Sequence, residues 1–537
     1  MTTFRRGCVN GCVNRSGCAK WPGGLKSVLG ILLCGALAGC TWAPAEPGGL
    51  TVWHVQSAVE TGPPRPGDGS AAAPFRSLAE AEAAAAPGDE IRVLLPLPGA
   101  PALDGGIVLQ AGQRLRGAVA AGLRPGITNT DPGRRGGDAV TLADDCIVTG
   151  LVISAAAGHA VVGRNVQGAV VTDNRIRGGN LADLTSVTTG ATAGLGVPTF
   201  PKAVVAFLHD TSAMAETAAR ANTVSGNTIG GLQPASGELI RLGGAGIALH
   251  ARGESRASLI VSANRIRDLG PGFPRSGVLI DTQDAAKATI EIEDTSVANA
   301  HAGSDGILIV AQHRSAITAS IRRYHYVGGT PGLGIANNGL EVVTYYGGNW
   351  LQAGTAAPER HEAQTRVLME GSDIEGAGGF GIAVWNIFGK PSADTVLDLG
   401  GGELGGRGAN RIYGSGMELP TSMDLYVVHQ DLNVANNWWG ADRSGNPKAI
   451  QADGSWHLGD AYTFTCPGEP AQLQRLNEGT GTTVWSMFCQ AFAADVCTTD
   501  AVPGECCDPA TDPARCMVAP AASSIVSSPA LIDDPRP

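Results

Sequence analysis

The feature that most restricts the fold of this chain is a short pattern that returns at nearly constant spacing. In five places a glycine is followed by a run of alternating aliphatic residues: Gly246, Gly277, Gly306, Gly339 and Gly381. Successive glycines are 31, 29, 33 and 42 residues apart. An apolar period of two predicts strands rather than helices. Strand units at a near-constant period, without hairpin turns, favour stacked coils over a sandwich.

The aliphatic positions of these repeats predict a narrow apolar core. Alternate side chains of a strand face opposite sides, so the residues one and three after each glycine are predicted to face inward. All ten are aliphatic: Ile247, Leu249, Val278, Ile280, Ile307, Ile309, Leu340, Val342, Ile382 and Val384. A composition with 76 glycines and only 5% aromatic residues agrees with many tight turns around small side chains.

Asparagine marks a second repeated position. Four asparagines each lie two residues before an isoleucine, in similar contexts: Asn174, Asn227, Asn264 and Asn410. Asparagine tolerates the left-handed backbone and can bond to neighbouring backbone groups, as stacked sharp corners require. We therefore expect these residues to lie at equivalent corners of successive coils.

Segments near both ends of the repeat region sharpen this interpretation. "GDGSAAAPFRSLAEAEAA" from Gly67 is followed by the strand-like "PGDEIRVLLP" and "IVLQAGQRLRGA", and "LNVANNWWGADRSGNP" lies near the other end. Over about residues 51–446 the chain resembles the right-handed parallel β-helix proteins of the pectin-lyase-like superfamily. The resemblance implies an all-β solenoid with a capping helix at its N-terminal end. Trp438 and Trp439 would cover the last coil, or alternatively bind sugar.

The residues four and six after each glycine are predicted to form two outward rows. The first row reads His250, Asp281, Val310, Val343 and Trp385, and the second reads Arg252, Gln283, Gln312, Tyr345 and Ile387. A histidine beside a carboxylate can act as a general base, so His250 and Asp281 are candidate catalytic residues. Arg252, the two glutamines and Tyr345 are candidates for orienting sugar hydroxyls, and Trp385 for stacking on a sugar ring. The alternative is a surface ladder whose polar side chains hydrogen-bond to one another and keep the sheet soluble.

A charged and aromatic cluster lies in later strands of the same coils. The stretch "ASIRRYHYV" carries Arg322 and His325, between glutamate-bearing strands that contain Glu293 and Glu370. Polysaccharide lyases of this superfamily neutralise a uronate carboxylate with a cation or an arginine and remove a proton with a basic side chain. The resemblance therefore makes Arg322 and His325 candidate catalytic residues. A row of salt bridges between coils explains the same charges equally well.

The sequence gives little support for catalysis by other known motifs or with a cofactor. No phosphate loop, nucleophile elbow or metalloprotease motif is present, and no cofactor is evident. The aspartates that bind calcium in pectate lyases cannot be placed, so a metal site stays unknown and calcium stays open. The net charge of -11 argues against a nucleic-acid partner. The scaffold carries lyases, hydrolases, epimerases and non-catalytic adhesins, so the fold does not define activity or oligomeric state.

The N-terminus predicts export. Lys26 precedes the apolar run "SVLGILLCGALAGC", which is short for a membrane-spanning helix and fits a secretory signal. The run resembles a bacterial lipoprotein signal, which implies removal of residues 1–39, a lipid on Cys40 and a linker over residues 40–50. Thr41, where an aspartate would favour inner-membrane retention, implies the outer membrane. Ordinary cleavage that leaves Cys40 as a thiol is the alternative.

The C-terminal region is distinguished by its cysteines. After the predicted β-helix of residues 51–450, a module of residues 451–517 holds six of them: Cys466, Cys489, Cys497, Cys506, Cys507 and Cys516. An even number in an oxidising compartment favours up to three disulfides, and a zinc site is the alternative. Residues 518–537 are expected to be a disordered tail. Cys146 lies alone in an apolar run and is expected in the core.

These observations predict a cell-surface lipoprotein of the outer membrane. It would bind an extracellular or envelope polysaccharide along one face of the solenoid, with or without cleaving it as a lyase or glycosidase. The alternative is a non-catalytic surface adhesin or scaffold that binds a protein.

Overall fold

The computed structural model describes the solenoid and leaves gaps between many of its strands. The described residues are 50–58, 67–154, 156–179, 203–210, 220–230, 242, 244–269, 275–300, 304–328, 338–345, 363–387, 395–413, 415, 423–428, 432–434, 437 and 525–526. The chain divides into two units, Met1–Gly49 and Leu50–Pro537, and every described residue belongs to the second unit.

Short strands make up most of the described chain. The first sixteen are β1 Val52–Val55, β2 Glu90–Val93, β3 Ile107–Val108, β4 Arg114–Gly117, β5 Gly126–Ile127, β6 Val140–Leu142, β7 Ile147–Thr149, β8 Val152–Ser154, β9 Val161–Arg164, β10 Val170–Thr172, β11 Arg175–Arg177, β12 Ala203–His209, β13 Asn222–Ser225, β14 Thr228–Ile229, β15 Ala245–Ala251 and β16 Arg256–Ser262. The others are β17 Arg265–Leu269, β18 Arg275–Thr282, β19 Lys287–Glu293, β20 Ser296–Ala300, β21 Ser304–Gln312, β22 Ala316–Arg322, β23 His325–Val327, β24 Leu340–Tyr345, β25 Gln364–Glu370, β26 Asp373–Glu375, β27 Phe380–Ile387, β28 Thr395–Gly400, β29 Arg411–Tyr413, β30 Met423–Val428, β31 Leu432–Val434 and β32 Ile525–Val526. One α-helix, Leu78–Ala84 (α1), and one 3-10 helix, Arg135–Gly137, complete the described elements.

The strands form three sheets in which neighbouring strands run parallel. The first sheet has the order β1-β2-β4-β7-β10-β13-β16-β19-β22-β25-β28-β31-β32. The second has the order β5-β8-β11-β14-β17-β20-β23-β26-β29, and the third β3-β6-β9-β12-β15-β18-β21-β24-β27-β30. The chain thus visits the three sheets in turn and adds one strand to each per coil. The fold is a right-handed parallel β-helix, as the sequence pattern and the resemblance predict.

The interior confirms the predicted inward positions. Ile247, Val278, Ile307, Leu340 and Ile382 pair in register from coil to coil. The positions two residues further on pair in the same way, and all ten predicted side chains are fully buried in one continuous core. Cys146 is also buried in this core as a free thiol, which confirms its expected place. Aliphatic residues at a period of two therefore stack into a single apolar column.

Buried asparagines stack along the solenoid, but their backbone differs from the prediction. Oδ1 of Asn227 accepts the backbone N–H of Asn174, and Oδ1 of Asn264 accepts that of Asn227 in the next coil. Asn410 and Asn437 repeat this contact. The residue before each of the first four asparagines has the positive φ, as Ala263 before Asn264 does at 54°. The preceding residue makes the sharp corner, and the asparagine amide satisfies the backbone groups that the corner exposes.

The predicted capping helix closes the N-terminal end. Helix α1 begins after Ser77, whose hydroxyl accepts the backbone N–H of Glu80, while the Glu80 carboxylate accepts the N–H of Ser77. This capping box satisfies two helix donors that would otherwise lack partners. Leu78 and Ala81 are buried in the core, so the helix covers the first coil with one apolar face.

The C-terminal end is described only in part. Strand β32 pairs in parallel with β31, through Ile525 with Leu432 and Val526 with Asn433. This pairing differs from the expectation of a disordered tail at these two positions. Trp438, Trp439 and the six C-terminal cysteines lie outside the described residues, as does the N-terminal segment that contains Cys40. Within the described ranges, no helix combines the length and the apolar character needed to cross a membrane.

Candidate functional site

The outward face of the third sheet carries a second buried cluster. Each repeat glycine points into the core, because a Cβ on Gly277 or Gly306 would meet side chains of the second sheet. The residue after the glycine also points inward, so the chain bends there, and the residue before the glycine faces outward. Outward apolar side chains pack together, separate from the core: Val162, Ala203, Ala206, Leu208, Ala245, Ala248, Leu279, Leu308, Val310, Val343 and Ala383. This face is therefore buried rather than exposed to solvent, and its polar side chains bond to one another, as the alternative of a polar ladder expected.

His250 and Asp281 lie side by side on this face. They pair in register on β15 and β18, and Nδ1 of His250 lies 2.6 Å from Oδ2 of Asp281. Nε2 of Gln312 donates to Oδ1 of Asp281 at 2.9 Å, and Nε2 of Gln283 donates to Oδ2 at 3.2 Å. The side chain of His250 is 3% exposed and that of Asp281 is 0% exposed. One carboxylate thus binds three predicted site residues together in a buried network.

A second group of polar side chains on the same face was missed by the sequence analysis. Asp305 lies directly before the glycine of β21, and its Oδ1 accepts the backbone N–H of Asn338 at 3.0 Å. Nδ2 of Asn338 donates to Oε2 of Glu341 at 2.7 Å. All three side chains are buried. Burial, followed by the neighbouring Glu341 carboxylate, raises the pKa of Asp305 well above its ordinary value.

Several polar atoms on this face have no protein partner. Among the described residues, Oγ of Ser276, Oδ2 of Asp305 and Oε1 of Gln312 make no hydrogen bond, although each residue is at most 2% exposed. Ser276 and Asp305 occupy adjacent coils at paired positions. Buried polar atoms without partners cost free energy, and they are commonly satisfied by a bound molecule or an ordered water.

For two other predicted binding residues on this face, Tyr345 and Trp385, the structure describes only the backbone. Tyr345 pairs with Gln312 of the preceding coil, and Trp385 pairs with Val343. Both therefore occupy the rows that the repeat predicts, while their side chains lie outside what the structure describes. Arg252 is half-buried just after β15, and its backbone N–H donates to the carbonyl of His209. Their roles in binding stay predictions.

The second predicted cluster is split between the solenoid surface and its core. Arg322 ends β22 on the first sheet, and its Nε lies 3.1 Å from Oε1 of Glu370 in the next coil. Arg323 makes two contacts with Asp294, at 2.7 and 2.8 Å, and also bonds to Glu293. These contacts form the row of salt bridges between coils that the sequence allowed as an alternative.

His325 occupies a different place from Arg322. It begins β23 on the second sheet, where its side chain is 48% exposed and its Nδ1 lies 3.7 Å from Oδ2 of Asp373. Tyr324 and Tyr326, on either side of it, are buried in the core, and burial raises the pKa of both phenols. Arg322, His325 and the pair of His250 with Asp281 thus lie on three different sheets. The structure does not bring the four candidate catalytic residues together.

The described part of the chain contains no candidate metal site and no disulfide. No group of three or more histidine, cysteine, aspartate or glutamate side chains that could hold a metal ion occurs there. The cysteine-rich module predicted over residues 451–517 lies outside it. The disulfides and the calcium or zinc alternatives therefore stay predictions.

Comparisons with known proteins give only distant structural likenesses. No family model matches the chain, and no curated protein matches it. Among solved structures, the chain is similar to PfbA, a surface adhesin of Streptococcus pneumoniae, at 11% identity and a TM-score of 0.24, over 71% of this chain and 76% of that one. It is also similar to the GH136 lacto-N-biosidase from Eubacterium ramulus, at 11% identity and a TM-score of 0.25, over 70% and 68%. Neither likeness bears on what this chain does.

Proposed function

We propose that this protein binds a polysaccharide on the outward face of the third sheet and cleaves its glycosidic bonds there. The observation that supports this most is Asp305, a buried carboxyl whose pKa is raised well above its ordinary value. A raised pKa means that the carboxyl holds its proton to a higher pH, and a protonated carboxyl can donate to the leaving oxygen of a glycosidic bond. The second catalytic group would be one of the two carboxylates on the same face, Asp281 or Glu341.

The choice of a sugar as ligand rests on the unpartnered atoms of this face. Ser276, Asp305 and Gln312 each present a buried polar atom that makes no hydrogen bond. Sugar hydroxyls both donate and accept, so adjacent hydroxyls of one ring can satisfy a hydroxyl, a carboxyl and an amide oxygen together. Burial would also shield the reacting bond from bulk water, which strengthens electrostatic interactions within the site.

A non-catalytic adhesin is the second candidate. The observation that favours it is the network around Asp281, whose two carboxylate oxygens are held by Gln283, Gln312 and His250. A carboxylate with every contact made by the protein resembles a fixed structural element more than a group that changes partners during a reaction. Such a protein would bind the glycan without altering it.

One assay distinguishes the two candidate functions. Purified protein is incubated with a broad glycan panel, and reducing ends, unsaturated-uronate absorbance and retained binding are all measured. Cleavage by the wild type, lost in Asp305→Asn with binding kept, is the expected result. Glu293→Gln is the matched control, because it changes an exposed carboxylate on the first sheet. Binding without product would favour the adhesin, and neither binding nor product would overturn the proposal.

We also propose that the protein is a lipoprotein of the outer membrane, with the lipid on Cys40. Support comes from the "LAGC" motif after an apolar run of signal length and from Thr41 behind it. Metabolic labelling with a fatty-acid analogue should mark the wild type and leave Cys40→Ser unlabelled. Label that persists in the variant, or wild-type protein recovered without lipid, would refute this localisation.

A further inference from the structure

A second group of polar side chains lies on the same outward face, near the N-terminal end of the solenoid. β6 and β9 pair through Val140 and Val161, and Asp138 and His159 each lie two residues before that pair. Continuing the register through β12, β15, β18 and β21 places them in one outward row. The members of this row are Asp138, His159, Ala203, Ala245, Ser276 and Asp305.

The pairing of Asp138 with His159 holds the imidazole in one orientation. Oδ1 of Asp138 accepts the backbone N–H of His159 at 2.9 Å and lies 2.9 Å from its Nδ1. A carboxylate at Nδ1 favours the tautomer with the proton on that nitrogen, which leaves Nε2 as an acceptor. In the described structure Nε2 is buried and has no hydrogen-bond partner. The side chains of His159 and Asp138 are 13% and 11% exposed.

Further unpartnered atoms belong to Asn129 and Arg135, which both bond to Asp138, and to Thr128, which precedes Asn129 in the chain. Nδ2 of Asn129 donates to the backbone oxygens of Arg134 and Asp138, which holds the amide in one orientation. Oδ1 of Asn129, Oγ1 of Thr128 and Nε of Arg135 are buried and make no hydrogen bond within the described chain. Asn129 is 0% and Thr128 8% exposed. Counting Nε2 of His159, three acceptor-capable atoms and one donor thus belong to these four residues.

The Arg135 guanidinium and the Asp138 carboxylate of this group already have partners. Arg135 forms an ion pair with Glu82 at 2.9 Å, and His159 lies against Asp138. A charged ligand would therefore gain little from the group, and a neutral ligand with several hydroxyls is the better complement. Between His159 and Ser276 the row holds only Ala203 and Ala245, whose side chains are single methyl groups. Three steps between coils separate His159 from Ser276, a distance of about 14 Å.

We propose that Thr128, Asn129, Arg135, Asp138 and His159 form a distal sugar subsite, which binds the far end of a glycan whose other end lies at Ser276 and Asp305. The proposal rests on the proposed function, because it names a second binding position on the same face. His159 and Asn129 bind sugar hydroxyls through Nε2 and Oδ1.

Glycan length provides the test. The polysaccharide that binds the wild type best is cut into size fractions, and the affinity of each is measured for the wild type, His159→Ala and Thr128→Val. We expect each variant to lower the affinity for fractions longer than about 14 Å by roughly tenfold. Fractions too short to bridge the two positions should bind each variant with unchanged affinity at Ser276 and Asp305. Glu293→Gln, which changes an exposed carboxylate on the first sheet, is the control.

The outcomes distinguish the two proposals. Unchanged affinity of both variants for every fraction would overturn the distal subsite, leave the proposed function standing and indicate that only water occupies the group. Equal losses for short and long fractions would also overturn it, because they indicate a general structural effect. Failure of every fraction to bind the wild type would overturn the proposed function itself. Thr128→Val is nearly isosteric, so it keeps the test valid if His159→Ala does not fold.

Discussion

His250 and Asp281 stand on adjacent coils with Nδ1 and Oδ2 2.6 Å apart, on a face of the solenoid that points away from the core and is nevertheless buried. Removal of one partner from a buried polar contact leaves the other group without its hydrogen-bonding partner, which costs free energy. The same contact therefore contributes to the stability of this face and holds in place the side chains proposed to bind a ligand.

Substitution Asp281→Asn is expected to destabilise the protein by about 3 kcal/mol. The amide keeps only one of the two oxygens that accept from Gln283 and Gln312, and it puts a donor NH2 group into the network that contains His250. Urea unfolding of both proteins would measure the difference. Asp294→Asn is the control, because its ion pair with Arg323 is exposed and should matter little. Similar losses in the two variants would contradict the importance of the buried network.

His209 is expected to make stability depend on pH. Burial lowers its pKa from 6.5 to about 4, and both ring nitrogens lack hydrogen-bond partners in the described structure. The folded state therefore holds the neutral form, and its contribution is complete above pH 6.5. It is lost as the pH falls from 6.5 towards 4, because the unfolded chain binds the proton more tightly, and the total approaches about 3 kcal/mol.

The measurement compares the free energy of unfolding across this pH range for the wild type and His209→Gln. The variant should lack the part of the pH dependence that His209 supplies, while His313→Gln, at a half-buried corner, should keep it. Identical pH profiles for the wild type and His209→Gln would show that the buried imidazole is not the source.

Gly306 is expected to tolerate no side chain. A Cβ there would collide with the hydroxyl of Tyr324, the ring of Tyr326 and the backbone oxygen of Gly339. Gly306→Ala should therefore cost about 2–3 kcal/mol through overpacking of the core. Gly133→Ala is the control, since its Cβ would approach only the end of the Asp131 side chain. Thermal unfolding would compare the two, and equal melting temperatures would refute the expected clash.

Asn264 is expected to stabilise its corner through specific hydrogen bonds. Its amide donates to the oxygen of Val224 and accepts the N–H of Asn227, both buried. Asn264→Ala should cost about 2–3 kcal/mol, because it leaves these groups unpaired. Asn264→Thr should cost less, since Thr295 occupies the equivalent corner of the next coil and bonds to the Val261 oxygen. Denaturant unfolding that ranks the two variants in the opposite order would contradict this account.

Much of the fold follows from the sequence, because the period-two pattern encodes both the direction of each side chain and the register between coils. Ile247, Val278 and Ile307 could be aligned by their glycines alone, and the structure pairs them as aligned. Tyr326 was harder to place, since large aromatic residues rarely fill a narrow core. Here Gly306 leaves space for it, a relationship between two sheets that no local pattern reveals.

The candidate site was only partly accessible to sequence reasoning. The alignment placed His250 beside Asp281, as the structure has them, but it treated their face as solvated. Burial of that face arises from tertiary packing, which alternation along one strand cannot indicate. Asp305 was missed because the bend at the glycine returns the preceding residue to the outward side, so simple alternation counts it incorrectly. A comparison of residues before each glycine would have placed Ser276, Asp305 and Asn338 in one row.

The pairing of β32 with β31 has a consequence for how these molecules meet one another. An unpaired parallel edge can accept a strand from another molecule, and such additions lead to fibres and aggregates. Here two residues from the distant C-terminus, Ile525 and Val526, bond to the terminal strand of the first sheet. Ile525 and Val526 therefore cover part of an edge at which another molecule could otherwise add a strand.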